Sequence, residues 1–193
     1  GLVGHDPWKT EEAQNLAIVV HLLRSGDWIL PMLAGEPYLA TPVLVYLSSA
    51  LTAVLFSPVL PLHDGVRIAG GVFMALTFLF IALAGKELLG GNKGWLAALL
   101  LLGCVGMLVR GHQALAEIAQ LSGFALGLYA LVLSARRPAL AGLWLGLGLG
   151  GAFCATGLVE PLMFCLFMLL LPAVSTRWRA RSYLMTLGIG LAV

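Results

Sequence analysis

Apolar residues fill most of the chain in long runs separated by short polar connections. The runs lie at about 66–85, 94–109, 114–134, 139–156 and 158–175, with a sixth starting at 182. Most approach the roughly 20 residues that a helix needs to cross a bilayer. The stretch 139–176 holds one charge, Glu160, and divides at Thr156-Gly157 and Pro161. Ahead of these runs, residues 1–41 are polar and carry five of the nine acids: Asp6, Glu11, Glu12, Asp27 and Glu36. Thr10 followed by Glu11-Glu12 marks a helix start, with carboxylates at the positive end of the helix dipole. Leu16, Val19, Val20 and Leu23 then form one apolar stripe, and Gly26 stands where a terminating glycine is expected. This predicts an amphipathic helix over 11–25, too short and polar to span, lying on the membrane surface or on the bundle. Residues 37–62 carry no charge, yet Pro37, Pro42, Pro58 and Pro61 bracket them. They predict a membrane-parallel or re-entrant segment.

Composition sharpens this picture. Of 193 residues, 60% are hydrophobic and 10% charged, and the mean hydropathy is +0.98. Soluble domains are nearer a quarter charged, so a soluble enzyme, a disordered tail and a disulfide scaffold are excluded. Cys104, Cys154 and Cys165 all lie in apolar runs and form no CxxC pair. The expected fold is all-α: a polytopic transmembrane helix bundle over 66–193, with membrane-surface helices in an extracytoplasmic loop over 1–65. The net charge is only +2, but seven of the eleven basic residues fall in alternate connections: Lys86, Lys93, Arg136, Arg137, Arg177, Arg179 and Arg181. The positive-inside rule makes those connections cytoplasmic. The first residue is Gly1 rather than Met, and the sixth run stops at Val193 after about twelve residues. The expectation is the N-terminal part of a longer membrane protein.

Three groups could carry chemistry. Glu11-Glu12, at a helix start beside the membrane, offers a general base or a cation ligand, or simply a capping charge. Glu12 falls on the apolar stripe, where a carboxylate needs a partner. Arg110, Gln113, Glu117 and Gln120 share one face if their segment is a single helix, and such groups turn inward to a cavity or to each other. His112 lies off that face. Glu160 marks either a site or the water interface. Gly142, Gly146 and Gly150 recur at the spacing that lets helices approach closely. Gly146 to Gly151 also matches GxGxxG, but no strand precedes it and it lies within an apolar span, so a dinucleotide site is rejected.

The order of these pieces resembles the GT-C glycosyltransferases, in the branch of the lipid A aminoarabinose transferases and bacterial relatives of protein O-mannosyltransferases. Glu11-Glu12-Ala13-Gln14-Asn15 is similar to that family's acidic D-E-x-x-Y signature. Ser25-Gly26-Asp27-Trp28-Ile29-Leu30-Pro31 is similar to S-G-D-W-I-x-P. The stretch from Ala34 to Leu47 follows N-G-x-x-Y-x-x-K-P-P-L-x-Y-W, with Thr41 in the lysine place. The resemblance implies a membrane glycosyltransferase that moves a sugar from a polyprenyl-phosphate donor to a lipid or protein acceptor. It implies a bacterial inner-membrane protein with its active site facing the periplasm. Glu11 and Glu12 align with the catalytic acidic pair. Glu36, Tyr38 and Glu117 align with positions near the substrate cavity, and Lys9, Arg110 and His112 join them as substrate-binding candidates. No cofactor is implied with certainty and a divalent cation is left open. The expected partners are the lipid-linked sugar, its acceptor and membrane lipids, with no nucleic acid. The rival classes are a transporter using the Glu117 stripe as a relay and a non-catalytic relative that binds lipid-linked sugar.

Overall fold

The computed structural model describes residues 3, 4, 6, 7, 10–91, 93–111 and 113–193. It opens with α1 (Thr10–Ser25), which ends at Gly26, a residue at φ +72° whose N–H donates to Leu22 O at 3.1 Å. The buried face of α1 is Glu12, Ile18, Val19 and Leu22. The expected stripe through Leu16 and Leu23 is therefore rotated, leaving those two half-buried at its edges. The cause is what the helix meets: Ile18, Val19 and Leu22 pack on Tyr46, Ala50, Ala53 and Val66.

A two-residue hairpin follows, β1 (Met32–Leu33) against β2 (Glu36–Pro37), antiparallel with Met32 opposite Pro37. Ala34 and Gly35 turn it with φ of +55° and +91°, the two positive angles that a tight I′ hairpin turn demands. Apart from this pair the described architecture is helical.

The next helix, α2 (Leu44–Phe56), has 13 residues. That is about 20 Å of helix, well short of the roughly 30 Å hydrocarbon layer. One side, with Val45, Tyr46, Ser49, Ala50 and Ala53, is buried, while Leu51, Val54 and Leu55 face outward. Two of its hydroxyls return to its own backbone: Ser48 Oγ donates to Val45 O at 2.9 Å and Thr52 Oγ1 to Ser49 O at 3.0 Å. Those two need no water to satisfy them.

The bundle is built on α3 (Leu62–Leu89), α6 (Ala116–Leu133) and α7 (Pro138–Thr156), three helices long and apolar enough to cross a membrane. Between the first two of these, the apolar run 94–109 is not the single helix its composition predicts. It forms α4 (Gly94–Leu102) and α5 (Val105–Arg110), divided where Gly103 leads into an extended Cys104 at ψ 118°. After α7 come α8 (Val159–Val174), a 3-10 turn (Thr176–Arg179) and α9 (Arg181–Ala192).

Small residues set the helix contacts. A Cβ on Gly123 of α6 would fall 2.5 Å from Gly148 O of α7, and one on Gly148 would fall 2.7 Å from Gly123 O. On its other side α7 meets α9, running in the same direction: Gly142 abuts Ile189, Gly146 abuts Val193, and Thr186 Oγ1 donates to Pro138 O at 3.1 Å. Gly150, the third member of the expected glycine series, faces open space. The series is thus used in part, and Gly148, outside it, makes the α6 contact. The reason is that α7 is packed on two sides and one stripe serves only one of them.

Candidate functional site

Two polar features lie where the first loop meets the bundle. The first is a buried ion triad. Arg67, in the second turn of α3, donates from Nε to Glu12 Oε1 at 2.6 Å and from Nη1 to Asp64 Oδ1 at 3.0 Å. All three side chains are at most 3% exposed. Asp64 also accepts the Gly4 backbone N–H through both oxygens, at 3.2 and 3.1 Å. Charges taken out of water persist only when paired in this way. The partner that Glu12 requires is therefore Arg67, and the triad fastens α1 to α3.

The second feature is a pocket of about 170 Å³ lined by Glu11, Gln14 and Asn15 of α1, Tyr38 and Thr41 beyond the hairpin, and Leu115, Ala116 and Glu117 at the start of α6. Three segments far apart in sequence build it. Asn15 Nδ2 donates to Ala114 O at 2.7 Å, which joins α1 to the chain entering α6. Behind it, Tyr46 is fully buried. Burial pushes its phenol above the ordinary range, an effect moderated by the nearby Thr41 side chain and reinforced by Tyr38. Its hydroxyl has no hydrogen-bond partner of good geometry among the described residues.

Of the residues anticipated from sequence, Glu11, Tyr38 and Glu117 are brought together. Glu12 is turned into the triad, and Glu36 is exposed on β2. Arg110 is exposed at the end of α5, and Glu160 is exposed at the start of α8. Lys9 and His112 lie outside the described residues. Arg110, Gln113, Glu117 and Gln120 do not form one helix face, because α5 stops before Gly111 and helix resumes only at Ala116, after an extended Leu115 at φ −115°.

Only Glu117 and Gln120 of that stripe lie on α6, and Gln113 is buried in the connection. Among the described residues Glu117 has no ion pair, neither with Arg110 nor with another cation, and it lines the pocket instead. Sequence reasoning did not single out Gln14, Asn15 or Thr41 as lining residues. Their nearest signal was position, since each falls within or beside the acidic signature and the segment around Tyr38.

The pocket offers two carboxylates able to accept a proton, with amide and hydroxyl groups able to orient a hydroxylated ligand. Among the described residues that line it, none is a cation. Among the described residues no three His, Cys, Asp or Glu side chains converge as a metal-ligand set. A cation in this pocket would have Glu11 and Glu117 as its charged neighbours.

No protein-family model matches the chain. Two curated relatives are named undecaprenyl phosphate-alpha-4-amino-4-deoxy-L-arabinose arabinosyl transferase. The one from Pseudomonas aeruginosa is 32% identical over 185 residues, and the one from Pseudomonas paraeruginosa is 32% identical over 186. Each alignment covers 92% of this chain and 33% of the relative, so the chain spans about a third of the length of the curated relatives it matches. Among solved structures, the crystal structure of ArnT from Cupriavidus metallidurans bound to undecaprenyl phosphate matches with a TM-score of 0.77 and 19% identity. That match covers 95% of this chain and 36% of the other, and at such identity it shows the fold. The chain is an integral membrane protein that shares the helical fold of the matched part of ArnT and resembles the curated transferases in sequence over about a third of their length.

Proposed function

We propose that the full-length protein is a glycosyltransferase that moves a sugar from a polyprenyl-phosphate donor to a lipid or protein acceptor at the outer face of the membrane. The observation that carries this reading is the convergence of Glu11, Tyr38, Thr41 and Glu117 on one polar pocket beside the apolar bundle. The curated relatives are named as transferases of this donor class, which supports it. In this reading Glu11 takes the proton from an acceptor hydroxyl while its oxygen attacks the anomeric carbon. The bond from that carbon to the phosphate oxygen breaks, and the polyprenyl phosphate leaves. Tyr38, Thr41 and the two amides orient the sugar, and Glu117 holds its far side. The pocket end faces the periplasm and the arginine-rich end the cytoplasm.

Replacing Glu11 by Gln in the full-length protein removes the base and keeps the shape. Transfer in membranes supplied with donor and acceptor should fall by about 10²–10⁴-fold, with Glu11→Asp retaining part of it. The helix should survive, because the lost dipole interaction is worth roughly 0.3–1 kcal/mol. Normal turnover by the Gln variant would reduce Glu11 to a capping charge.

A second reading has its own observation. The described lining residues supply no cation to neutralise a phosphate, while Arg67 is committed to Glu12 and Asp64. That arrangement suits a relative that binds a lipid-linked sugar without transferring it. Donor binding by wild type, with no turnover of any acceptor, would favour this reading.

A further inference from the structure

Seven of the eleven basic residues lie at the end of the bundle where α3, α6 and α8 finish and α4, α7 and α9 begin, and Glu87 is the one acid in those connections. Two of the arginines are engaged: Arg136 Nη1 is 2.9 Å from Glu87 Oε2, and Arg179 Nε donates to Pro172 O at 2.8 Å. Arg137 and Arg181 are exposed and have no carboxylate partner among the described residues. They stand at the starts of α7 and α9, which run side by side in the same direction. Between the α6–α7 turn and the start of α9 is a cavity of about 70 Å³, lined by Leu88, Leu131 and Val132 and by the hydroxyl residues Ser134 and Ser182, with Trp178. Trp178 packs edge-on against Tyr183, their ring centroids 5.0 Å apart.

We infer that this end of the bundle holds a binding site for an acidic phospholipid. The site combines what such a molecule presents: apolar side chains for the start of its acyl chains, hydroxyls for its glycerol and headgroup, and guanidinium groups for its phosphate. Depth identifies the source of the phosphate. α6 and α7 are candidate spans, so the ends of those helices stand at headgroup level, and tryptophan and tyrosine concentrate at that level. A soluble phosphate would need no apolar wall. The inference is independent of the transferase reading, because the site is at the opposite end of the bundle from the Glu11 pocket.

The test uses the full-length protein in nanodiscs of mixed phosphatidylcholine and phosphatidylglycerol, released into mild detergent and weighed by native mass spectrometry. Wild type should retain phosphatidylglycerol in preference to phosphatidylcholine. The double variant Arg137→Gln, Arg181→Gln should lower that preference roughly tenfold. Arg137→Lys with Arg181→Lys should keep most of it, and Lys9→Gln, in the first loop at the other end of the chain's charge pattern, should keep all of it. Equal retention of the two lipids by wild type would overturn the inference without recourse to any variant. An undiminished preference in the Gln variant would overturn it as well.

Discussion

Glu11 and Glu12 are neighbours in sequence but about 100° apart around a helix, and that angle gives them different surroundings. Glu11 faces the pocket while Glu12 is enclosed with Arg67. Removing one member of a buried pair leaves the other charge uncompensated, at a cost of roughly 3–5 kcal/mol. Arg67→Met should therefore lower the thermal stability of the purified full-length protein markedly. Glu36→Gln, on the exposed hairpin, should change it by no more than about 0.5 kcal/mol. Equal melting of the Arg67 variant and wild type would show that the triad does not hold the loop. The need of Glu12 for a partner was legible in the sequence, because a carboxylate stood on a buried stripe. The identity of the partner was not, since Arg67 is 55 residues away and only the docking of α1 on α3 brings it near.

Among the elements, the limits of α1, α3, α6 and α7 follow from where apolar runs meet Gly, Pro and charge. The division of α4 from α5 was hidden, because Gly103 and Cys104 sit in unbroken apolar sequence and glycine is common within membrane helices. The hairpin was hidden too, since Ala34 occupies a turn position that usually holds Asn, Asp or Gly. Helix contacts can be tested at the α6–α7 crossing. Gly148→Val would drive side-chain atoms into Gly123 O, a backbone group that cannot retreat by rotation. Overpacking of this kind costs about 1–3 kcal/mol. At Gly150, two residues on, an added Cβ meets nothing within 4 Å, so Gly150→Val should be tolerated. Comparable thermal stability of the two variants in detergent would contradict the assigned crossing.

At the scale of the molecule, charge is sorted by end. Eight of the nine acids lie in the first loop or at the helix ends beside it, while the opposite end carries seven basic residues. This sorting predicts orientation. Single cysteines at Asp27 and at Arg136 would be placed in a full-length background lacking Cys104, Cys154 and Cys165. An impermeant thiol reagent on intact cells should label position 27 and spare 136. The reverse pattern would invert the molecule. The alternation of basic connections made the sorting of charge legible in the sequence; the pocket itself was not, because it depends on three segments meeting.

The triad also bears on the order in which the chain is made. Glu12 leaves the ribosome 55 residues ahead of Arg67, so their contact can form only after the start of α3 has been made. Asp64, one turn earlier on the same helix, is the partner Arg67 carries with it into the membrane. Glu12 joins only when the first loop folds back onto the bundle. Closure of the loop thus adds a second carboxylate to an arginine that Asp64 already balances, so the first loop docks by bringing Glu12 in beside a pair formed within α3.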